Sequence, residues 1–247
     1  MFTLKNVFVI FAISTNCVFS KDLPEYLKNL TCSKSQKDFE DCFVRNGNKA
    51  IPLVVRGDPD YNIPKLNPME IPFVELISTP NLSVNLTNVK IRGLENMKLQ
   101  KAKLLIEESR YTHWLKGENI IVEGEYVANG QIMIMPIKGK GRFTTNLKNG
   151  EYEITSLTET YEKDGELHWK ILRSSIKYSF ERITFNFENL FDGNKELGDK
   201  VNEFLNENWD ILLVDFGPGI TDIILKIYRT IFDAFCTQVP QKYIFLD

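Results

Sequence analysis

Chemistry needs side chains that hold a proton, a metal or a nucleophile in one place, and this 247-residue chain offers few. Its two histidines, His113 and His168, fall in separate strand-like stretches without ligand-spaced partners. A zinc site needs three or four converging Cys, His or carboxylate ligands, so no metal site is expected. No Gly-x-Ser-x-Gly turn is present to raise a serine nucleophile. The run Gly139-Lys140-Gly141-Arg142 lacks the spacing of a phosphate-binding loop and precedes no helix pattern. It reads as a twisted strand or bend. Glu107 and Glu108 are adjacent, so a regular strand points them to opposite faces and makes no carboxylate pair. No catalytic residue and no cofactor are expected, and the chain reads as a non-enzyme.

What the chain has in excess is apolar surface. Hydrophobic residues make up 43% and aromatic residues 12%, ample for a sizeable core. Phe73, Tyr111, Trp114, Phe143, Trp169, Tyr178, Phe180 and Phe185 all fall in the strand-rich middle. For any one of them the plain reading is core packing; the functional reading is that some line an internal tunnel. A ligand burying ~300–400 Å² there gains ~8–10 kcal/mol gross at ~25 cal/mol/Å². Association costs reduce that to roughly micromolar affinity. The formal net charge of −3, with no basic patch carrying interleaved aromatics, argues against nucleic acid as a partner.

Residues 1–20 read as a signal peptide. Lys5 gives a basic start, Val7 to Ile13 a short apolar run, and Val18 and Ser20 suit cleavage before Lys21. That run is far below the ~20 residues that span a bilayer, and nothing later is long enough either. The chain is expected to be secreted and extracellular, without stable membrane insertion, with residues 21–247 as one ligand-carrier domain. Cys17 leaves with the leader. Cys32 and Cys42 then close a short loop in an oxidising compartment and are paired, contributing ~2–3 kcal/mol. Cys236 is left as a buried thiol. Asn29, Asn81 and Asn85 each head an Asn-x-Ser/Thr sequon and are glycosylation candidates. Arg56-Gly57-Asp58, followed by Pro59, reads as a turn. Its likeness to the adhesion tripeptide motivates the alternative, a secreted signalling or adhesion glycoprotein with a solid core.

Residues 38–56 read as a short helix interrupted at Asn46-Gly47-Asn48. The stretch 59–80, with Pro59, Pro64, Pro68, Pro72 and Pro80, reads as an extended connector. From Leu82, Val84 and Leu86 onward a period-two pattern runs to residue 187. Strands are expected near 100–115, 118–128, 131–147, 150–162, 166–180 and 182–187. Turn signals separate them at Lys116-Gly117, Asn129-Gly130, Asn149-Gly150 and Asp164-Gly165. Consecutive hairpins make a meander, and long strands twist it into a roll. Parity changes after Ile154 and after Phe180 require bulges or bends. Two amphipathic helices close the chain. Leu197, Val201, Phe204, Leu205 and Leu212 mark the face of the first; Ile220, Ile223, Ile224, Ile227, Ile231, Ala234 and Phe235 mark that of the second. Gly217-Pro218-Gly219 is expected to break them apart. Together they span ~60 Å if collinear, a length that only a rolled sheet of long strands matches. The fold class is α+β: a long C-terminal helix wrapped by a strongly curved antiparallel β-sheet, an α/β-wrap or super-roll.

The run Asn189, Leu190, Phe191, Gly193, Asn194, Leu197, Gly198, Asn202, Asn206, Trp209 resembles the C-terminal motif of the takeout family. These are insect secreted carriers related to the juvenile-hormone-binding proteins; the Cys32 and Cys42 pair is a second, less specific mark. The resemblance covers essentially the whole mature chain. It implies a tunnel between helix and sheet that takes an elongated hydrophobic small molecule: juvenile hormone, a terpenoid, a fatty acid or a similar lipid. Tunnel candidates are Phe73, Tyr111, Trp114, Phe143, Trp169, Tyr178, Phe180, Ile220, Ile224, Ile227 and Ile231. In the hormone carriers a tunnel tyrosine holds the ligand's polar end. Here Phe143, Thr144 and Thr145 occupy that area, and Cys236 has no partner for those carriers' second disulfide. Both departures favour the broader takeout group, whose members are linked with circadian output, feeding and chemosensation. A cell-surface receptor is the further partner that such a carrier implies.

Overall fold

The computed structural model describes residues 21–247, so the segment 1–20 read as a signal peptide, with Cys17, lies outside the described residues. A short strand β1 (Cys32–Ser33) leads into α1 (Phe39–Val54). Then come β2 (Met69–Thr79), β3 (Leu82–Arg92), β4 (Lys98–Leu105), β5 (Arg110–Ile132), β6 (Met135–Lys163), β7 (Glu166–Ser179) and β8 (Arg182–Phe187). Helices α2 (Lys195–Glu207) and α3 (Trp209–Cys236) follow, and α4 (Gln241–Ile244) and β9 (Phe245–Leu246) end the chain, with β9 parallel to β1.

Strands β2 to β8 form one seven-stranded antiparallel sheet. Its spine is β5 against β6, of 23 and 29 residues, in register from Arg110 opposite Leu157 to Ile132 opposite Met135. Drawn straight, β5 would span ~76 Å at ~3.3 Å per residue, whereas the 28 residues of α3 span ~42 Å. The sheet therefore coils, and it forms a strongly curved half-barrel around the C-terminal helix.

Each spine strand changes partner midway. β5 pairs with β4 up to Lys116 and with β3 from Ile121; β6 pairs with β8 up to Lys148 and with β7 from Glu151. Both exchanges occur where Gly117 faces Gly150. A Cβ on Gly117 would lie 2.7 Å from Met97 Sδ, and one on Gly150 would lie 2.6 Å from the Tyr152 hydroxyl. Lys116-Gly117 and Asn149-Gly150 are thus bends inside continuous strands, not the expected hairpins. Asn129-Gly130 also lies within β5. The β5–β6 turn falls instead at Met133-Ile134, while Asp164-Gly165 does turn β6 into β7. The bulge expected after Ile154 appears as a register shift between Leu157 and Thr158.

Tertiary contacts override local helix signals. α1 runs unbroken through Gly47 and Pro52. The Asn48 amide donates to the Leu99 carbonyl at 2.8 Å and accepts from its N–H at 2.9 Å, which pins the helix to β4. The proline-rich stretch includes β2, with Pro72 accommodated on a sheet edge. α3 runs through Gly217-Pro218-Gly219, and the break between helices lies at Asn208. A Cβ on Gly219 would come within 2.3 Å of the Leu76 carbonyl oxygen, so the glycine marks a close passage past β2. α3 exposes Asp222, Lys226 and Thr230 and turns Ile223, Ile224, Ile227 and Ile231 toward the sheet. The helix lies along the groove, with one face to solvent, and is not enclosed on every side.

The disulfide Cys32–Cys42 is formed, and Cys236 is a free, buried thiol. Burial, reinforced by the Asp233 charge, pushes that thiol well above its ordinary pKa. Protein lacking residues 1–20 should therefore show no thiol reactive toward dithionitrobenzoate when native at pH 8, and one after denaturation; native labelling would contradict this burial.

The C-terminal motif has a structural reason. Asn202 accepts from the Phe187 N–H at 2.8 Å and donates to the Phe187 carbonyl at 3.0 Å. Asn206 does the same for Phe185, at 2.8 and 2.9 Å. Four helical residues advance ~6 Å and two strand residues ~6.6 Å, so the two amides fall in step with alternate residues of edge strand β8. Asn202→Ala should lower stability by about 1–3 kcal/mol through the abandoned groups of Phe187, a Tm loss of roughly 2–10 °C. Asn202→Asp should do no better, because it sets an oxygen against the Phe187 carbonyl. Thermal denaturation of both variants checks this; an unchanged Tm would remove the clamp from the account.

Candidate ligand-binding cavity

Between α1, α3 and the concave face lie two cavities, of about 560 Å³ and about 340 Å³. A single water needs only ~10–15 Å³, so neither is a packing fault; small-molecule sites run to ~300–1,000 Å³. Inward-facing aliphatics of the long strands line the larger one, among them Val84, Leu86, Val122 and Ile183. The smaller one sits at the disulfide end, among Leu23, Cys32, Tyr111, Trp169, Phe235 and Phe245. Along α3 the lining runs from Leu212 to Cys236, ~36 Å at 1.5 Å per residue. The two cavities share Phe43, Gly47, Ala50, Val54, His113, Tyr228 and Ile231.

No Asp, Glu, Lys or Arg is among the described residues lining either cavity. The polar side chains on the larger one are His113, Thr145, Tyr152 and Tyr228. Burial pushes the Tyr152 phenol up to about 12 and the His113 imidazole down to about 4. Both are neutral near pH 7. Among the described residues no group of three His, Cys, Asp or Glu side chains could hold a metal ion. This arrangement can desolvate an apolar molecule; it presents no ionised nucleophile or charged acid–base pair.

Phe143, Phe180, Ile220, Ile224, Ile227 and Ile231 line the larger cavity, and Tyr111, Trp169 and again Ile231 the smaller. Phe73, Trp114 and Tyr178 line neither. Phe73 is 56% exposed: β2 changes parity there beside Asn88, whose φ of 52° bulges the neighbouring strand. Trp114 follows inward-facing His113 and so points outward, donating its indole N–H to Glu153 at 3.1 Å under the Lys101 ammonium. Tyr178 spends its hydroxyl on the Gly217 carbonyl at 3.2 Å, tying β7 to α3. Selecting aromatics missed His113, Tyr228 and the whole contribution of α1. The signal for His113 was its parity with Tyr111 and Leu115 on one strand face.

Asn29 and Asn81 are exposed, whereas Asn85 is half-buried within β3 with its Oδ1 enclosed. Gly57 holds a φ of 80°, and the Asp58 carboxylate accepts from the Tyr26 hydroxyl and the Asp60 N–H at 3.0 and 3.1 Å, the turn expected for Arg56-Gly57-Asp58. No helix of the described residues is long and apolar enough to cross a membrane.

Known proteins share this architecture. The crystal structure of Epiphyas postvittana Takeout 1 superposes with a TM-score of 0.80 at 24% identity, covering 88% of this chain and 99% of that one. The circadian clock-controlled protein daywake of Drosophila yakuba, and that of Drosophila melanogaster, are each 23% identical over 217 residues, spanning 83% of this chain and 84% of theirs. Residues 7–246 match the family described as haemolymph juvenile hormone binding protein. By a match of that extent, the chain belongs to the takeout and juvenile hormone binding protein family.

Proposed function

We propose that this protein is a secreted, non-catalytic carrier that holds one elongated hydrophobic molecule across both cavities, in the class of juvenile hormones, terpenoids, fatty acids and similar lipids. Binding of hydrophobic ligands is general to the family. The observation that carries the reading here is the uncharged cavity pair beside α3, ~36 Å from Leu212 to Cys236. Walls of this kind reward apolar area at ~25 cal/mol/Å² and discriminate by shape and length. Asn29 and Asn81 head exposed sequons, where a secreted protein would carry glycans. Likeness to a clock-controlled protein makes circadian output the first physiological setting to examine. The adhesion alternative draws little support, since the Asp58 carboxylate is engaged within its own fold.

Ile227→Arg places a charge in the apolar wall without a partner. It should abolish the fluorescence gain of N-phenyl-1-naphthylamine while leaving the circular dichroism spectrum unchanged. A folded variant that still takes up the dye would remove the ligand from this cavity. Saturation of the wild type at about 100 times Kd should add ~2.7 kcal/mol, read as a Tm rise of roughly 5–10 °C. An apolar ligand that binds without raising Tm would be held elsewhere.

A further inference from the structure

The two cavities meet at a belt of rings that crosses the fold. Phe43 of α1 stacks on His113 of β5 with centroids 5.7 Å apart. His113 Nδ1 lies 3.1 Å from the Tyr228 hydroxyl of α3. Phe232, one turn further along α3, stacks on Tyr228 at 6.1 Å. Gly47 and Ala50 of α1 line both cavities beside this belt and contribute almost no side chain. His113 and Tyr228 are the polar side chains common to both linings among the described residues.

Their mutual hydrogen bond leaves capacity unspent. A neutral imidazole carries one donor and one acceptor, and a phenol one donor and two acceptor sites. Ser156, itself bonded to Ser174 at 2.8 Å, is a further partner in reach of the Tyr228 hydroxyl. His113 Nε2 has no hydrogen bond of its own among the described residues. Whichever tautomer is present, that nitrogen remains a donor or an acceptor facing an otherwise greasy junction. A buried polar group without a partner is costly, and a ligand oxygen at the junction would relieve it.

We infer that His113 and Tyr228 form the polar subsite of the cavity system, and that the ligand is a long neutral lipid with one hydrogen-bonding oxygen (an alcohol, aldehyde, ketone or ester) seated there. The inference rests on the carrier reading above and narrows its ligand class. An ionised carboxylate fits poorly. Neither lining supplies a Lys or Arg, and His113 stays uncharged at neutral pH because burial holds its pKa near 4. A desolvated anion would have no countercharge.

The test is displacement of N-phenyl-1-naphthylamine from the delipidated protein at pH 7.5 by tetradecane, 1-tetradecanol and myristate. Tyr228→Phe removes one oxygen and keeps the ring; His113→Phe is the second variant. Each should weaken tetradecanol about 5- to 30-fold more than it weakens tetradecane. Myristate should bind the wild type at least ~10-fold more weakly than tetradecanol. An alcohol-to-alkane ratio that neither variant moves, or myristate binding as tightly as the alcohol, would overturn the subsite. If tetradecane too fails to displace the dye from the wild type, the carrier reading itself falls and the subsite with it.

Discussion

A β-strand advances more than twice as far per residue as an α-helix, and the longest strands here keep one register from Arg110 to Ile132, the whole length of β5. A ribbon that long can share a core with a 28-residue helix only by coiling around it. Coiling keeps the concave face at a distance from the helix axis that side chains of ordinary size do not span everywhere. The cavities follow from that geometry more than from any single residue. So do the glycines at 117 and 150, which sit where the ribbon turns its corner and both spine strands exchange partners.

The same geometry explains why the interior is uncharged. Every inward position of β3, β5 and β6 faces either packed helix or enclosed space, so an ionised group there would lose its hydration with little return. The strands answer with Val, Leu, Ile and Phe, and the acidic and basic residues pair outside, as Arg92 does with Glu123 and Lys177 with Glu153. Polar side chains on the larger cavity are few; of them, His113 and Tyr228 are hydrogen-bonded to one another. The edges of the sheet are handled differently. Asn48, Asn202 and Asn206 present amides that imitate a neighbouring strand, and so close the ladder where no further strand comes.

Much of the architecture was legible because period-two and helical patterns report burial directly. Leu82, Val84 and Leu86 are buried as their alternation requires, and the isoleucines of α3 face inward at their 3–4 residue spacing. The disulfide followed from short loop closure. Glycine was the main source of error. At 117, 130, 150 and 219 it serves close approach of another backbone or side chain, which local turn statistics cannot distinguish from a reversal. Pro52 and Pro218 lie inside helices that tertiary packing holds. The cavity residues were half legible. Ile220, Ile224, Ile227 and Ile231 come from helix periodicity, while Phe73 and Trp114 rest on aromatic character alone; strand parity puts Trp114 outside, and the parity change within β2 turns Phe73 out. The α1 wall, with Phe43, Gly47 and Ala50, needs the pairing of α1 with β4, which no local pattern announces.

The parallel pairing of β1 with β9 sets Cys32 beside Phe245, so the first and last parts of the described chain complete one end of the molecule together. During synthesis the residues around Cys32 emerge early, yet their strand partner, Phe245–Leu246, is made about 200 residues later. That end stays unfinished until Phe245 and Leu246 have been made. Assembly of this end thus depends on a late stitch between segments far apart in sequence, and the smaller cavity, lined by both Cys32 and Phe245, gains that wall only once the stitch is drawn.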